Sequence, residues 1–137
     1  MKNLEINVII SINESKINCA VDNYIIGKVV KMTTEELEIL VKQGEGYTLE
    51  FKENLGKKFA VEVVALANSM GGKILIGVDD DGNIIGTDTS NNQRANIQNQ
   101  ISQIEPRINV KIEVVDNVIV VNVPEGDDKP YSSSDGY

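Results

Sequence analysis

Apolar and polar positions alternate along this chain in two rhythms, and each rhythm predicts a different element. Apolar patches at Ile6 to Ile12 and Tyr24 to Val30, separated by the polar stretch Asn13 to Asn18, predict two strands. After Met32, Thr33 and Glu36 have the spacing of a capping box, and Leu37, Leu40 and Val41 form a helical stripe that Gly44 closes. Tyr47, Leu49 and Phe51 then alternate with Thr48, Glu50 and Lys52, as the two faces of a strand do. From beyond Asn54 to Met70 the helical rhythm returns, with Phe59, Val63, Leu66, Ala67 and Met70 on one face. Ala60, Val61 and Val64 leave that helix little polar surface, so it is expected to be covered on most sides.

Gly71-Gly72 interrupts this helix, and the run from Lys73 to Val78 has almost no alternation, which predicts a strand covered on both faces. Asp79-Asp80-Asp81-Gly82-Asn83 is turn sequence, and Ile84-Ile85-Gly86 is expected to return as a paired strand. Between Ser90 and Ile104, Ile97, Ile101 and Ile104 mark the apolar face of a helix rich in Asn and Gln, which Pro106 ends. Ile108, Val110, Ile112 and Val114 then alternate with polar residues. Asp116-Asn117 turns the chain, and Val118 to Val123 complete a second hairpin. The expected fold is a single α+β (mixed α/β) domain: a mixed sheet of two hairpins plus the motif strand, packed by about three helices.

Composition sharpens this picture. With 137 residues and 41% hydrophobic residues, the chain is long enough for one core. That core has to be aliphatic, since there is no Trp and there are only two Phe. The absence of His excludes Cys/His zinc sites and His-based triads, and the single Cys19 excludes an internal disulfide. Site chemistry is left to carboxylates, Lys, Arg, Ser, Thr and Tyr. No apolar run is long enough to span a membrane and the start has no signal-peptide pattern, so a cytoplasmic location is expected. The formal charge of −8 presents nucleic acid with a repulsive average field, which a locally basic face or a bound divalent cation would have to overcome.

Three segments, in order, carry a family resemblance. The first is Gly44-Glu45-Gly46 with Leu49-Glu50-Phe51-Lys52-Glu53. The second runs from Ala65-Leu66-Ala67-Asn68-Ser69-Met70-Gly71-Gly72 through Ile74-Leu75-Ile76-Gly77-Val78-Asp79-Asp80-Asp81-Gly82 to Ile85-Gly86. The third is Val123-Pro124-Glu125-Gly126 with Lys129-Pro130-Tyr131. Each is weak alone, but in this order and spacing the chain resembles the Schlafen/Alba-like DNA-binding family of the AlbA_2 type. Members of that family stand at the front of bacterial and archaeal regulator-like or RecG-like proteins. The resemblance covers residues 32–137 and implies that 1–31 is an extension, either a pairing hairpin or upstream sequence. It also implies that Lys129-Pro130-Tyr131 leads toward a further strand and further domains, so the chain is expected to be the front part of a longer protein.

For function, the resemblance implies a nucleic-acid-binding module, DNA before RNA, of a transcriptional regulator that grips backbone phosphates. The cations available for this are Lys52, Lys57, Lys58, Lys73, Arg94, Arg107 and Lys111. The scarcity of aromatic residues argues against single-strand binding by base stacking and favours duplex backbone contact. Nuclease-active Schlafen proteins imply an alternative, in which Glu45, Glu50 and Asp80 hold Mg²⁺ or Mn²⁺ and Lys52 stabilises charge on the phosphate. No cofactor is expected outside that alternative. The bland reading of the same residues is a half-exposed strand followed by an ordinary acidic turn. A third class, a protein-interaction or homo-oligomerisation module, is suggested by the Asn/Gln-rich stretch from Asn91 to Gln103. Family members have also been described as divergent ATPases, but this chain has no Gly-x-x-x-x-Gly-Lys-Ser/Thr run. Its Gly71-Gly72 pair precedes a strand rather than a helix, which suits a sharp turn better than a phosphate loop.

Overall fold

The computed structural model describes residues 31–134, and the strands expected at Ile6 to Ile12 and Tyr24 to Val30 lie outside them. A compact unit begins at Met32. Helix α1 (Thr34–Gln43) starts with the expected capping box: Glu36 N–H donates to Thr33 Oγ1 at 3.2 Å and Thr33 N–H donates to Glu36 Oε1 at 2.9 Å. Gly44 ends it at φ 80°, donating its N–H to Val41 O. Leu37 and Val41, the two buried residues of this helix, pack on the sheet.

Strand β1 (Leu49–Lys52) buries Leu49 and Phe51 and leaves Glu50 and Lys52 partly open on the other face. Tyr47 departs from the expected alternation, being 91% exposed. Gly46 and Leu49 bridge across a turn that contains Tyr47 and Thr48, so the period of two begins only at Leu49. Helix α2 (Phe59–Ala67) is shorter than the pattern suggests. Gly56 disfavours an earlier start, and Gly71 N–H closes the other end on Leu66 O at 2.7 Å. Met70 therefore leaves the expected buried stripe and is 62% exposed.

Strand β2 (Gly72–Ile76) runs parallel to β1, with Leu49 opposite Lys73 and Lys52 opposite Ile76. The unit β1–α2–β2 is thus a parallel crossover, which antiparallel hairpins alone would not produce. The turn into β2 needs glycine on steric grounds. Gly71 has φ 77°, and a Cβ there would lie 2.6 Å from Glu125 N; a Cβ on Gly72 would collide with the Thr48 carbonyl.

After β2 the expected first hairpin shrinks to a single bridge between Val78 and Ile84. The Gly77 carbonyl accepts from both Ile85 and Gly86 N–H, and Thr87 N–H then donates to Asn117 O. This draws the segment off the ladder and leaves Ile84 and Ile85 exposed. Helix α3 (Asn91–Ile101) is capped by Ser90 Oγ, which accepts from Gln93 N–H, and buries Ile97 and Ile101, with Ile104 just beyond. Strands β3 (Lys111–Val115) and β4 (Val118–Val123) form the second hairpin as expected, turning at Asp116 and Asn117 with φ 49° and 64°.

The sheet order is β1-β2-β4-β3, with β2 antiparallel to β4. Its two central strands supply Ile74, Leu75, Ile76, Ile119, Val120 and Val121, all fully buried. One face, carrying Ile74, Ile76, Ile119 and Val121, is covered by α2 and α3. The opposite face, carrying Leu75, Val118 and Val120, is covered by α1. The architecture is a three-layer α+β domain with three helices and a four-stranded mixed sheet among the described residues.

Candidate functional site: an acidic strand face and a basic helix layer

Alternation along β1 places Glu50 and Lys52 on the α2 side of the sheet, because Leu49 and Phe51 take the α1 side. Glu45 folds back from the preceding turn, and its Oε2 accepts the Phe51 N–H at 2.8 Å. This covers the N–H of a residue on an edge strand. Lys52 Nζ pairs with Glu62 Oε2 of α2 at 2.9 Å, both side chains being partly buried. Glu62 Oε1 is buried and has no partner. Three carboxylates and one ammonium therefore meet here. Partial burial pushes the Glu50 carboxyl above its ordinary range, the charges of Glu45 and Glu62 and a hydrogen bond with Glu45 raise it further, and Lys52 partly offsets them.

Of the residues named from the sequence for a nuclease centre, the fold brings Glu45, Glu50 and Lys52 together. Asp80 stands in the turn after β2, exposed and without a hydrogen bond to that cluster. The aspartate tied into that turn is Asp79. Its carboxylate accepts from the Asp81 and Asn83 N–H groups and from Asn83 Nδ2, and these bonds, chiefly those from Asn83, hold it below its ordinary range. Among the described residues no group of three or more His, Cys, Asp or Glu is placed to hold a metal ion. The carboxylates as arranged thus do not form a ready cage for Mg²⁺ or Mn²⁺, since Glu45 is turned to a backbone N–H and Glu62 to Lys52. Glu62 was not anticipated; its signal in the sequence is that it is the one charged residue in the run Phe59 to Ala67.

The candidate phosphate-binding cations divide between the two sides of the sheet. Lys57 and Lys58 are exposed at the start of α2, where Lys58 occupies the N-cap position and makes no side-chain capping bond. Gln100 Nε2 donates to Gly56 O at 3.1 Å, which fastens α3 beside this lysine pair. Arg94 is exposed on α3, six residues before Gln100, or about 9 Å along the axis. Arg107 is exposed just beyond α3, at a cavity of about 400 Å³ that it lines with Gln98 and Ser102. Lys73 and Lys111 lie on the α1 side, in register with Asn122 on the strand between them. Lys52 is neutralised by Glu62, whereas no ion pair engages Lys57, Lys58, Arg94 or Arg107 among the described residues.

This is a small sheet domain whose site residues sit on an edge strand and on the helical layer above it. The family model described as Schlafen, AlbA_2 matches residues 45–137, and the chain belongs to that family. The match begins at Glu45, the first carboxylate of the acidic face, and takes in every element from β1 onward. The family points to a nucleic-acid-related role. No curated protein matches the chain significantly. Among solved structures it is similar to the crystal structure of the DIP2311 protein from Corynebacterium diphtheriae, at 20% identity and a TM-score of 0.51. That similarity covers 74% of this chain but 23% of the other, and it supports the fold. No helix among the described residues is long and apolar enough to cross a membrane.

Proposed function

We propose that this domain binds the phosphate backbone of nucleic acid, DNA in the first instance, through the α2–α3 layer, as the binding module of a cytoplasmic transcriptional regulator. The observation that carries the reading is the unpaired Lys57-Lys58 at the uncapped start of α2, with α3 and its Arg94 fastened alongside. The free N–H groups of a helix start favour an anion, and two adjacent ammoniums strengthen that preference. Family membership supports a nucleic-acid ligand. The net negative charge of the chain makes attraction to a polyanion depend on locally basic patches such as this one. The test is duplex affinity as a function of salt: Lys57→Glu with Lys58→Glu should weaken binding by at least tenfold and flatten the salt dependence. Unchanged affinity in that double variant would overturn the reading.

A second reading, a metal-dependent nuclease, is favoured by one observation: Glu45, Glu50 and Glu62 crowd together on the same side of the sheet as the lysine pair, with one buried carboxylate oxygen unpartnered. It requires Glu45 to turn from the Phe51 N–H and Glu62 to loosen its hold on Lys52. Mn²⁺-dependent cleavage of RNA or DNA that disappears in Glu50→Gln would support it. Cleavage that survives that substitution would exclude this site as its source.

A further inference from the structure

The α1 side of the sheet breaks its own pattern at one end. Leu75, Val118 and Val120 fill that face under α1, yet the next row across the strands is Lys73 on β2, Asn122 on β4 and Lys111 on β3. Three polar residues in register, with Glu113 beside them on β3, interrupt an otherwise apolar face and make a place where the fold's own packing rule is set aside, as happens at binding sites. Neighbouring strands lie about 4.8 Å apart, so the two lysines flank the asparagine at a spacing their flexible side chains can close around one anion. Above this row is a cleft of about 480 Å³, within the size range of small-ligand sites. Gln43, Thr48 and Asn109 add hydrogen-bonding groups to its wall, and Leu40 and Pro124 add apolar surface.

The row is held in place before any ligand arrives. Lys73 Nζ donates to Asn122 Oδ1, Asn122 Nδ2 donates to Glu113 Oε2 at 3.1 Å, and Glu113 Oε1 accepts the Met32 N–H at 2.9 Å. Both Glu113 oxygens are thereby occupied. Two ammoniums against one carboxylate leave the cleft locally positive in a chain that is strongly negative overall. Lys111 makes no ion pair among the described residues.

The geometry points to a binding site for a small phosphorylated ligand of mononucleotide size, its phosphate held between Lys73 and Lys111 and its less polar body against Leu40 and Pro124. The cleft lies on the opposite side of the sheet from the α2–α3 layer, so it stands or falls apart from the backbone-binding reading. The test is titration of the full chain with adenosine monophosphate, inorganic phosphate and adenosine, followed by NMR at the Asn122 and Asn109 side-chain amides. Saturable shifts are expected with the monophosphate, weaker ones with inorganic phosphate, and none with adenosine at equal concentration. Lys111→Ala, on an exposed side chain, should weaken monophosphate binding roughly tenfold, the worth of one charge-assisted hydrogen bond. Lys73→Met, which keeps most of the aliphatic stem, should do the same. Absence of saturable shifts, equal response to adenosine, or affinity indifferent to both lysine substitutions would overturn the proposal.

Discussion

Glu50 sits where burial and two neighbouring carboxylates all oppose its charge. Its folded-state pKa is raised, so the folded protein binds the proton more tightly than the unfolded chain does. The associated stability is present below the ordinary value of 4.5 and is lost as pH rises through the folded-state value. Glu50→Gln should therefore raise the melting temperature at neutral pH and flatten the decline in stability above about pH 4.5, measured by thermal unfolding across a pH series. No change in the pH profile would show that the strain at this strand face has been relieved by other means. The alternation that put Glu50 and Lys52 on one face was legible in the sequence. Their meeting with Glu62 was not, because it depends on α2 crossing back over the strand. Gly72 also belongs to this scale: a Cβ there would strike the Thr48 backbone, so Gly72→Ala should cost at least about 2 kcal/mol in denaturant unfolding.

The elements owe their boundaries to local chemistry where caps and turns are strong. They owe them to neighbours where caps are weak. The start of α1 and the β3–β4 turn fall where Thr33, Glu36, Asp116 and Asn117 place them. By contrast, α2 has no side-chain cap, and its ends are set by Gly56 and by the return of Gly71 onto Leu66. Its C-terminus also holds the tail. Asn68 Oδ1 accepts from Tyr131 N–H at 2.7 Å and Asn68 Nδ2 donates to Tyr131 O at 3.0 Å. Tyr131 is buried, and its hydroxyl accepts the Asp128 N–H. These bonds join Asn68 to a residue 63 positions away, and the tail is closely packed there, since a Cβ on Gly126 would collide with the Tyr131 ring. Asn68→Ala should cost about 1–3 kcal/mol and speed amide exchange at Gly126 and Tyr131 more than in β2 or β4, as read by hydrogen-exchange NMR. Uniform exchange throughout would mean that the tail unfolds only with the whole domain.

Across the whole molecule, charge decides how this domain can meet a polyanion. The net charge of −8 makes any productive approach depend on the few cations left unpaired on the α2–α3 layer. If Lys57, Lys58 and Arg94 each neutralise one phosphate, the logarithm of duplex affinity should fall with the logarithm of salt at a slope of about −3, and Arg94→Ala should reduce that slope by about one. A slope near zero would count against backbone contact by this layer.

The order of apolar and polar residues, without further help, determined that α1, the buried β2, α3 and the β3–β4 hairpin would form, because helical stripes, caps and turn residues act over a few positions. Composition also determined that the core would be aliphatic and that site chemistry would be left to carboxylates, Lys, Arg, Ser, Thr and Tyr. Only the tertiary structure decided that β2 lies between β1 and β4, that Lys52 spends its charge on Glu62, and that Asp80 stands outside the carboxylate cluster. It likewise decided that Lys73, Asn122 and Lys111 form a single row. These facts turn on strand order and register between residues as far apart in sequence as Gly72 and Val123. No local pattern encodes such pairings, because they are selected by the packing of the whole core.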